Sequence, residues 1–335
     1  MQLTLIRALK ISDLQEDVIM PLHTIIMAVY NGERYLNSAI QSILDQTCSD
    51  LELILVDDCS SDKTLEILHA IQRKDSRIRL MSTSINSGGP AIPKNIGVSN
   101  ASGEFISFCD QDDLLLPHKL ERATTFFRQN PDYEAVFFDY LPIDANGNRS
   151  NAYLAKRGFV ERARDYLSVI EPGIYECKRF WGAMAGIDIG MTTQTVVCRR
   201  KVFDKIRFDT RFRIVDDISV WYRVAEQFKI AFIDSPGALY RHHDQNLTTD
   251  VSLLTRETIA FHRENYFRQA ARFNSMENDR YRKMLGRFFV RAASSTEISS
   301  LERRVFLAQS LVFSFSWRTL RWFLQTFFET RRHTV

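Results

Sequence analysis

Ser102-Gly103-Glu104-Phe105-Ile106-Ser107-Phe108-Cys109-Asp110-Gln111-Asp112-Asp113 is the stretch whose reading decides the fold. It opens on a small-residue turn and continues as a short apolar run, Phe105 to Cys109, of the kind that forms a fully buried strand. The run ends in three carboxylates within four positions. Carboxylates directly after a buried strand stand at its C-terminal edge, where open α/β sheets bind ligands. Three acids so close repel one another unless a cation or a dense set of donors neutralises them. Hard divalent cations such as Mg²⁺ or Mn²⁺ prefer oxygen ligands and are often held by one or two carboxylates plus substrate phosphates. Taken alone, the same acids read as well as a surface turn capping the next helix.

The flanking sequence decides between these. Upstream, Thr24–Val29 is a β-rich run followed by the turn Tyr30-Asn31-Gly32-Glu33, and apolar residues between Tyr35 and Gln46 recur at helical spacing. Leu51 to Val56 reads as a second strand, ending in Asp57-Asp58, with a helix from about Lys63 to Arg73. Ile78 to Met81 is a third strand, and a helix around Pro93 to Asn100 follows Gly88-Gly89-Pro90. Strand and helix alternate at βαβ spacing, which predicts a mostly parallel sheet flanked by helices. Downstream, Ala135–Phe138, Thr193–Cys198 and Ile230–Ile233 read as strands, and residues 144–180 as loop and helix.

At 335 residues the chain has room for one large α/β domain and an appendage. The division expected is an extension over 1–20, the α/β domain over 21–250 and a basic, aromatic helical region over 251–335. The net charge of +3 hides an asymmetry: residues 256–335 carry 15 Lys/Arg against 7 Asp/Glu, while the rest carries 29 against 34. The basic part reads as a separate functional surface. Arginine–aromatic interleaving there is equally well explained by helix packing, so no nucleic-acid partner is expected. The apolar stretch Val305–Phe328 is interrupted by Arg318 and Arg321, which fits an interfacial helix or packing against the main domain, but not a span. Five cysteines without metal-ligand spacing suggest a reducing compartment, and no signal peptide is read at the N-terminus.

In order along the chain, Thr24–Glu33, Val56-Asp57-Asp58-Cys59-Ser60-Ser61-Asp62, Lys94-Asn95-Ile96-Gly97, Ser102–Asp113, Val215-Asp216-Asp217 and Tyr240-Arg241-His242-His243 resemble the family 2 glycosyltransferases of the GT-A fold. The resemblance covers roughly residues 22–245 and implies a Rossmann-like GT-A sheet with a C-terminal helical extension. It implies an inverting transfer from a nucleoside-diphosphate sugar, with UDP the leading expectation, to a hydroxyl of a carbohydrate or lipid-linked acceptor in cell-surface polysaccharide, lipopolysaccharide or glycolipid assembly. By the same resemblance Ala28, Tyr30, Asn31, Glu33 and Asp58 face the nucleotide. Asp110 and Asp112 bind the ribose and a divalent metal (Mn²⁺ or Mg²⁺), Asp112 being the direct ligand, and Asp113 orients the site. Lys94 stands where the family often has arginine and is expected to pair with phosphate, though not in the bidentate manner of arginine. Asp217 matches the family's base, where the usual Glu-Asp is here Asp216-Asp217. His243 matches a histidine that faces the metal or pyrophosphate. The basic, aromatic composition of the C-terminal region is compatible with a cytoplasmic location at the inner face of the plasma membrane, with peripheral contact through that region.

Two other readings compete. A nucleotidyltransferase expects a Gly-rich loop with a basic residue after the first strand, where Tyr30-Asn31-Gly32-Glu33 stands instead. A degenerate sugar-nucleotide-binding homologue expects the metal or base carboxylates to be lost, and all are present.

Overall fold

The computed structural model describes residues 21–184, 191–295 and 298–329, so the extension over 1–20 lies outside the described residues. The first half alternates strand and helix: β1 His23–Val29, α1 Leu36–Leu44, β2 Leu51–Asp57, α2 Thr64–Gln72, β3 Ile78–Ser82, α3 Ala91–Asn100 and β4 Phe105–Phe108. Then come the short β5 Leu114–Leu115, α4 Lys119–Gln129 and β6 Ala135–Ile143. Two single-turn helices, α5 Tyr153–Lys156 and α6 Phe159–Arg162, lead to β7 Leu167–Glu171, β8 Ile174–Cys177 and α7 Phe180–Ala183. The sheet domain closes with β9 Val196–Arg199, α8 Asp216–Gln227 and β10 Ile230–Arg241. Four helices end the chain: α9 Val251–Gln269, α10 Ser275–Ala293, α11 Ser300–Phe313 and α12 Trp317–Glu329.

One sheet runs through the molecule in the order β3-β2-β1-β4-β9-β6-β10-β8-β7, with β5 paired to β10. The first four strands are all parallel, and β9 enters antiparallel between β4 and β6. The parallel half is buried on both sides, as its apolar runs predict: β2 is buried along its whole length, and Ile25, Ile26, Leu53, Ile54 and Ile106 have no exposed surface. Parallel strands point their C-terminal ends the same way, so Tyr30, Asp58 and Asp110 come to one edge. Gly103 is dictated by crowding, since a Cβ there would lie 2.6 Å from the Thr24 backbone nitrogen.

Several elements differ from the sequence expectation. Thr193–Thr195 forms a 3-10 turn before β9 rather than the start of a strand. There, Lys94 Nζ donates to Thr193 Oγ1 at 3.1 Å and Lys119 Nζ to the Gln194 carbonyl at 2.7 Å, bonds that hold this segment off the ladder. The last strand runs past Ile233 to Arg241, through a register shift at Pro236, because β6 continues beside it. Residues 144–180, read as loop and helix, contain the β7–β8 hairpin, closed by Gly173 at φ 78°. All five cysteines are free, and Cys109, Cys177 and Cys198 are buried.

The C-terminal helices are not a detached surface. Phe261 of α9 packs edge-on against Phe212 and Tyr222 of the sheet domain, with ring centroids 5.9 and 5.7 Å apart. Arg268 pairs with Glu226 of α8 at 3.0 Å. Tyr281, Leu285 and Phe289 of α10 form a core of their own with Ile259 and Phe313. Among the described residues no helix is long and apolar enough to cross a membrane.

Candidate active site

The sheet edge, the start of α8 and the faces of α9 and α10 enclose a cavity of about 940 Å³. Ala28, Tyr30, Asn31, Asp58, Lys94, Asp110, Asp112, Asp113, Asp217 and His243 all line it. Glu33, expected to face the nucleotide, is not among the residues that line it. Its carboxylate accepts from the Lys63 backbone N–H at 3.2 Å, so it ties the loop after β1 to the loop after β2. Asn31 plays a similar part at the cavity wall: it sits at φ 48°, and its amide oxygen accepts from Ser61 N at 2.8 Å.

Gln111, the spacer between the acids, lines the cavity and was passed over by the motif reading. Its Oε1 accepts from Tyr30 N and its Nε2 donates to Tyr30 O, each at 2.9 Å. The loop after β4 thereby fixes the backbone of the turn after β1. A Cβ on Gly32 would stand 2.4 Å from Gln111 Oε1, which explains the glycine. Asp58 is buried and already occupied: it accepts from Ser87 N and Oγ and from Thr83 Oγ1 at 2.8–3.1 Å. It organises the Asn86–Gly89 loop as well as lining the cavity.

Asp110, Asp112 and Asp113 diverge in role. Asp112 Oδ2 lies 2.8 Å from His243 Nε2 and 3.3 Å from Asn246 Nδ2. Gln245 N donates to His243 Nδ1 at 3.1 Å, so the ring proton sits on Nε2 and points at Asp112. In that tautomer His243 donates to Asp112 and orients it, beside the point of the cavity where it was expected as a metal ligand. Asp113 Oδ1 accepts from Arg241 N at 2.8 Å, and burial beside Asp112 and Asp110 pushes its carboxyl well above the usual range. Among the described residues no three His, Cys, Asp or Glu side chains converge as a protein-only cation site. Asp112 is partly open to the cavity and uses one oxygen for its protein contacts, so the site fits a cation shared between a carboxylate and substrate phosphates.

Lys94 is 2% exposed. Its ammonium lies 3.0 Å from Asp216 and 3.5 Å from Asp110, so it bridges two carboxylates rather than standing free for phosphate, as the sequence had suggested. The reason is burial, which makes an unpaired ammonium costly beside two acids. The two acids at the start of α8 are thereby differentiated. Asp216 is buried and ion-paired. Asp217 is half-buried, with burial first and the charge of Asp216 second pushing its carboxyl up to about 7. A second residue missed in the sequence holds this segment. Glu257 of α9 accepts from the backbone N–H groups of Arg213, Ile214 and Val215 at 2.9, 2.8 and 3.2 Å. No local motif could have signalled it, because its partners lie more than 40 residues upstream.

The sequence profile of glycosyl transferase family 2 matches residues 24–207, the span that builds this edge of the sheet. The chain belongs to that family. An uncharacterized glycosyltransferase of Haemophilus influenzae is 40% identical over 152 residues, covering 45% of this chain and 58% of that one. A GalNAc(5)-diNAcBac-PP-undecaprenol beta-1,3-glucosyltransferase of Campylobacter jejuni is 34% identical over 173 residues, 48% and 55% of the two chains. The alignments thus span little more than half the length of these two relatives. An uncharacterized glycosyltransferase of Nostoc is 31% identical over 241 residues, 71% of this chain and 70% of that one. Among solved structures, S. aureus TarS 1–349 in complex with UDP-GlcNAc superposes with a TM-score of 0.60 at 17% identity, covering 87% of this chain and 80% of that one. Mannosyltransferase PcManGT of Pyrobaculum calidifontis, in complex with GDP-Man and Mn²⁺, gives 0.55 at 14%, covering 92% and 85%. Both likenesses concern the fold. This family 2 chain has the GT-A architecture, with its carboxylates at the sheet edge and a C-terminal helical region closing the cavity.

Proposed function

We propose that this family 2 chain is an inverting, metal-dependent transferase that moves a sugar from a nucleoside-diphosphate sugar to an acceptor hydroxyl, with Asp217 as the base. The observation that carries the reading is the division of labour across one cavity: the free oxygen of Asp112 at one side, and at the other a carboxyl tuned to about 7. A base is most effective when its pKa lies near the working pH, and Asp217, unlike Asp216, has no direct ion pair among the described residues. Asp217 takes the acceptor proton as the hydroxyl attacks the anomeric carbon from the face opposite the leaving diphosphate. Asp112, with Asp110, would hold the divalent cation. When bound, the cation acts as a Lewis acid that stabilises the charge building on the leaving diphosphate. Tyr30 and the Asp58 loop would hold the base and ribose.

Thermal unfolding with UDP, GDP, CDP and dTDP, each with and without Mn²⁺, tests this reading. A nucleotide at ~100 times its dissociation constant adds ~2.7 kcal/mol. One nucleotide should stabilise the wild type only with metal, and Asp112→Asn should abolish the shift. Stabilisation by none would bring the degenerate-homologue reading forward.

The C-terminal helices support a location at the cytoplasmic membrane face, with acceptors for cell-surface glycan or glycolipid assembly. Trp317, Arg318, Arg321 and Leu324 of α12 are all exposed, with Phe315 just before them. Spacings of one, four and seven residues put these side chains on one face, an aromatic anchor beside cations. Flotation with phosphatidylglycerol vesicles should carry the wild type upward but not Trp317→Ala/Arg318→Gln/Arg321→Gln. Equal flotation of both would remove the idea.

A further inference from the structure

The cavity has a second, cationic wall. Besides the carboxylates of the sheet edge, it is lined by Met284, Arg287, Phe288 and Arg291 of α10. Their spacing of three, four and seven residues places them on one helix face. Arg287 and Arg291 are exposed, and neither guanidinium has an ion pair or hydrogen bond among the described residues. Neighbouring arginines are committed to packing: Arg256 pairs with Glu302, Arg268 and Arg272 with Glu226, and Arg282 donates to the carbonyls of Val312 and Phe313. Arg287 and Arg291, by contrast, face the cavity.

The same two arginines also line a second recess of about 480 Å³ between α10 and the chain near α12. The rest of that recess is mostly hydroxyls and small groups: Ser294, Ser310, Ser314, Ser316 and Thr319. Arg287 and Arg291 therefore stand where the catalytic cavity meets a hydroxyl-lined recess. Two guanidiniums one turn apart match a diphosphate or two adjacent phosphodiesters, which arginine grips in bidentate fashion. The donor's diphosphate already has the Asp112 end of the cavity, on a different element.

We propose that Arg287 and Arg291 form an acceptor subsite for phosphate, so that the acceptor of this enzyme carries phosphate groups close to its reactive hydroxyl. The proposal rests on the sugar-transfer reading for the word acceptor. Its phosphate could belong to a lipid diphosphate or to a phosphodiester polymer, and both present the same chemistry to the arginines.

The test is calorimetric titration of inorganic pyrophosphate in EDTA into the wild type, Arg287→Gln/Arg291→Gln, Arg287→Lys/Arg291→Lys and Asp112→Asn. Pyrophosphate should bind the wild type and Asp112→Asn alike, at least tenfold more weakly to the Gln pair, and with intermediate affinity to the Lys pair. Thermal midpoints of the arginine variants should match the wild type, because these side chains have no partners to lose. Equal affinity in the Gln pair, loss in Asp112→Asn, or no binding to the wild type would each overturn the proposal. Farnesyl diphosphate in micelles and a soluble glycerol phosphate oligomer are then used as competitors. Whichever displaces pyrophosphate identifies the source, and displacement by neither overturns the acceptor subsite. Nucleotide stabilisation with Mn²⁺ is measured on the same proteins. Its absence from the wild type would sink the sugar-transfer reading alone, whereas its loss only in the Gln pair would assign the arginines to the donor and overturn the proposal.

Discussion

The Lys94 ammonium lies 3.0 Å from the Asp216 carboxylate, joining α3 to the first turn of α8 beneath the cavity. The same ammonium lies 3.5 Å from Asp110, so one buried cation couples the loop expected to hold donor and metal to the helix start that carries Asp217, the proposed base. Removing it leaves Asp216 buried without its counter-charge. Lys94→Met should destabilise the fold by ~3–5 kcal/mol in denaturant titration, the range for breaking a buried pair. Because Lys94 holds Asp217 down against burial, the acid limb of the pH–rate profile should also move upward in this variant.

Asp217 should set that acid limb. With its carboxyl at about 7, the fraction of enzyme carrying an ionised base falls as pH drops below 7. Turnover measured from pH 5 to 9 should therefore rise with pH and level off above 7, and Asp217→Asn should lower it by ~10²–10⁴-fold. Stability should run the other way. A carboxyl raised in the folded state favours the protonated form, so its contribution is present at low pH and lost as pH rises through 7. Asp217→Asn should flatten that dependence in thermal scans.

Removing the metal and removing its expected ligand should have the same effect. EDTA and Asp112→Asn should each abolish nucleotide-induced stabilisation, with no further loss when combined. His243→Ala, which leaves Asp112 without its 2.8 Å partner, should weaken metal affinity ~10–100-fold, as outer-shell partners do. Mn²⁺ titration followed by electron paramagnetic resonance in the presence of the nucleotide reads both. An effect of His243→Ala as large as that of Asp112→Asn would make the histidine a ligand after all.

Glu257 joins α9 to the segment that precedes Asp217, the proposed base. Glu257→Gln should be milder than Glu257→Ala, since its amide oxygen can still accept while the charge is lost. Glu257→Ala leaves three backbone N–H groups without their acceptor and should cost ~2–3 kcal/mol. It should also lower kcat more than it raises KM for the donor, because the base rather than the nucleotide site is displaced.

Much of the α/β half was legible because its signals are local. Uninterrupted apolar runs at βαβ spacing specify parallel strands, and parallel strands must gather their carboxylates at one edge. Asp110 and Asp112 could thus be placed at that edge from position along the chain, whereas Asp217, in the first turn of α8, was named only through the family resemblance. The roles of Lys94, Glu33 and His243 were not legible in the same way. A lysine in a motif does not reveal that a helix 122 residues later places an aspartate 3.0 Å from it. A histidine does not reveal that the Gln245 N–H fixes its proton toward Asp112.

The C-terminal region marks the same boundary. Charge counting set residues 256–335 apart as a basic surface, yet α9 and α10 line the cavity that holds the carboxylates, and Glu257 anchors the segment before Asp217. Sequence alone determined which elements form and which edge of the sheet carries the acids, since strand and helix periodicity depend on neighbouring residues. Which charges meet, which are cancelled and which remain free for a ligand was decided only by the tertiary structure. Pairing and burial depend on contacts between residues tens to more than a hundred positions apart, and a pattern along the chain does not encode those distances.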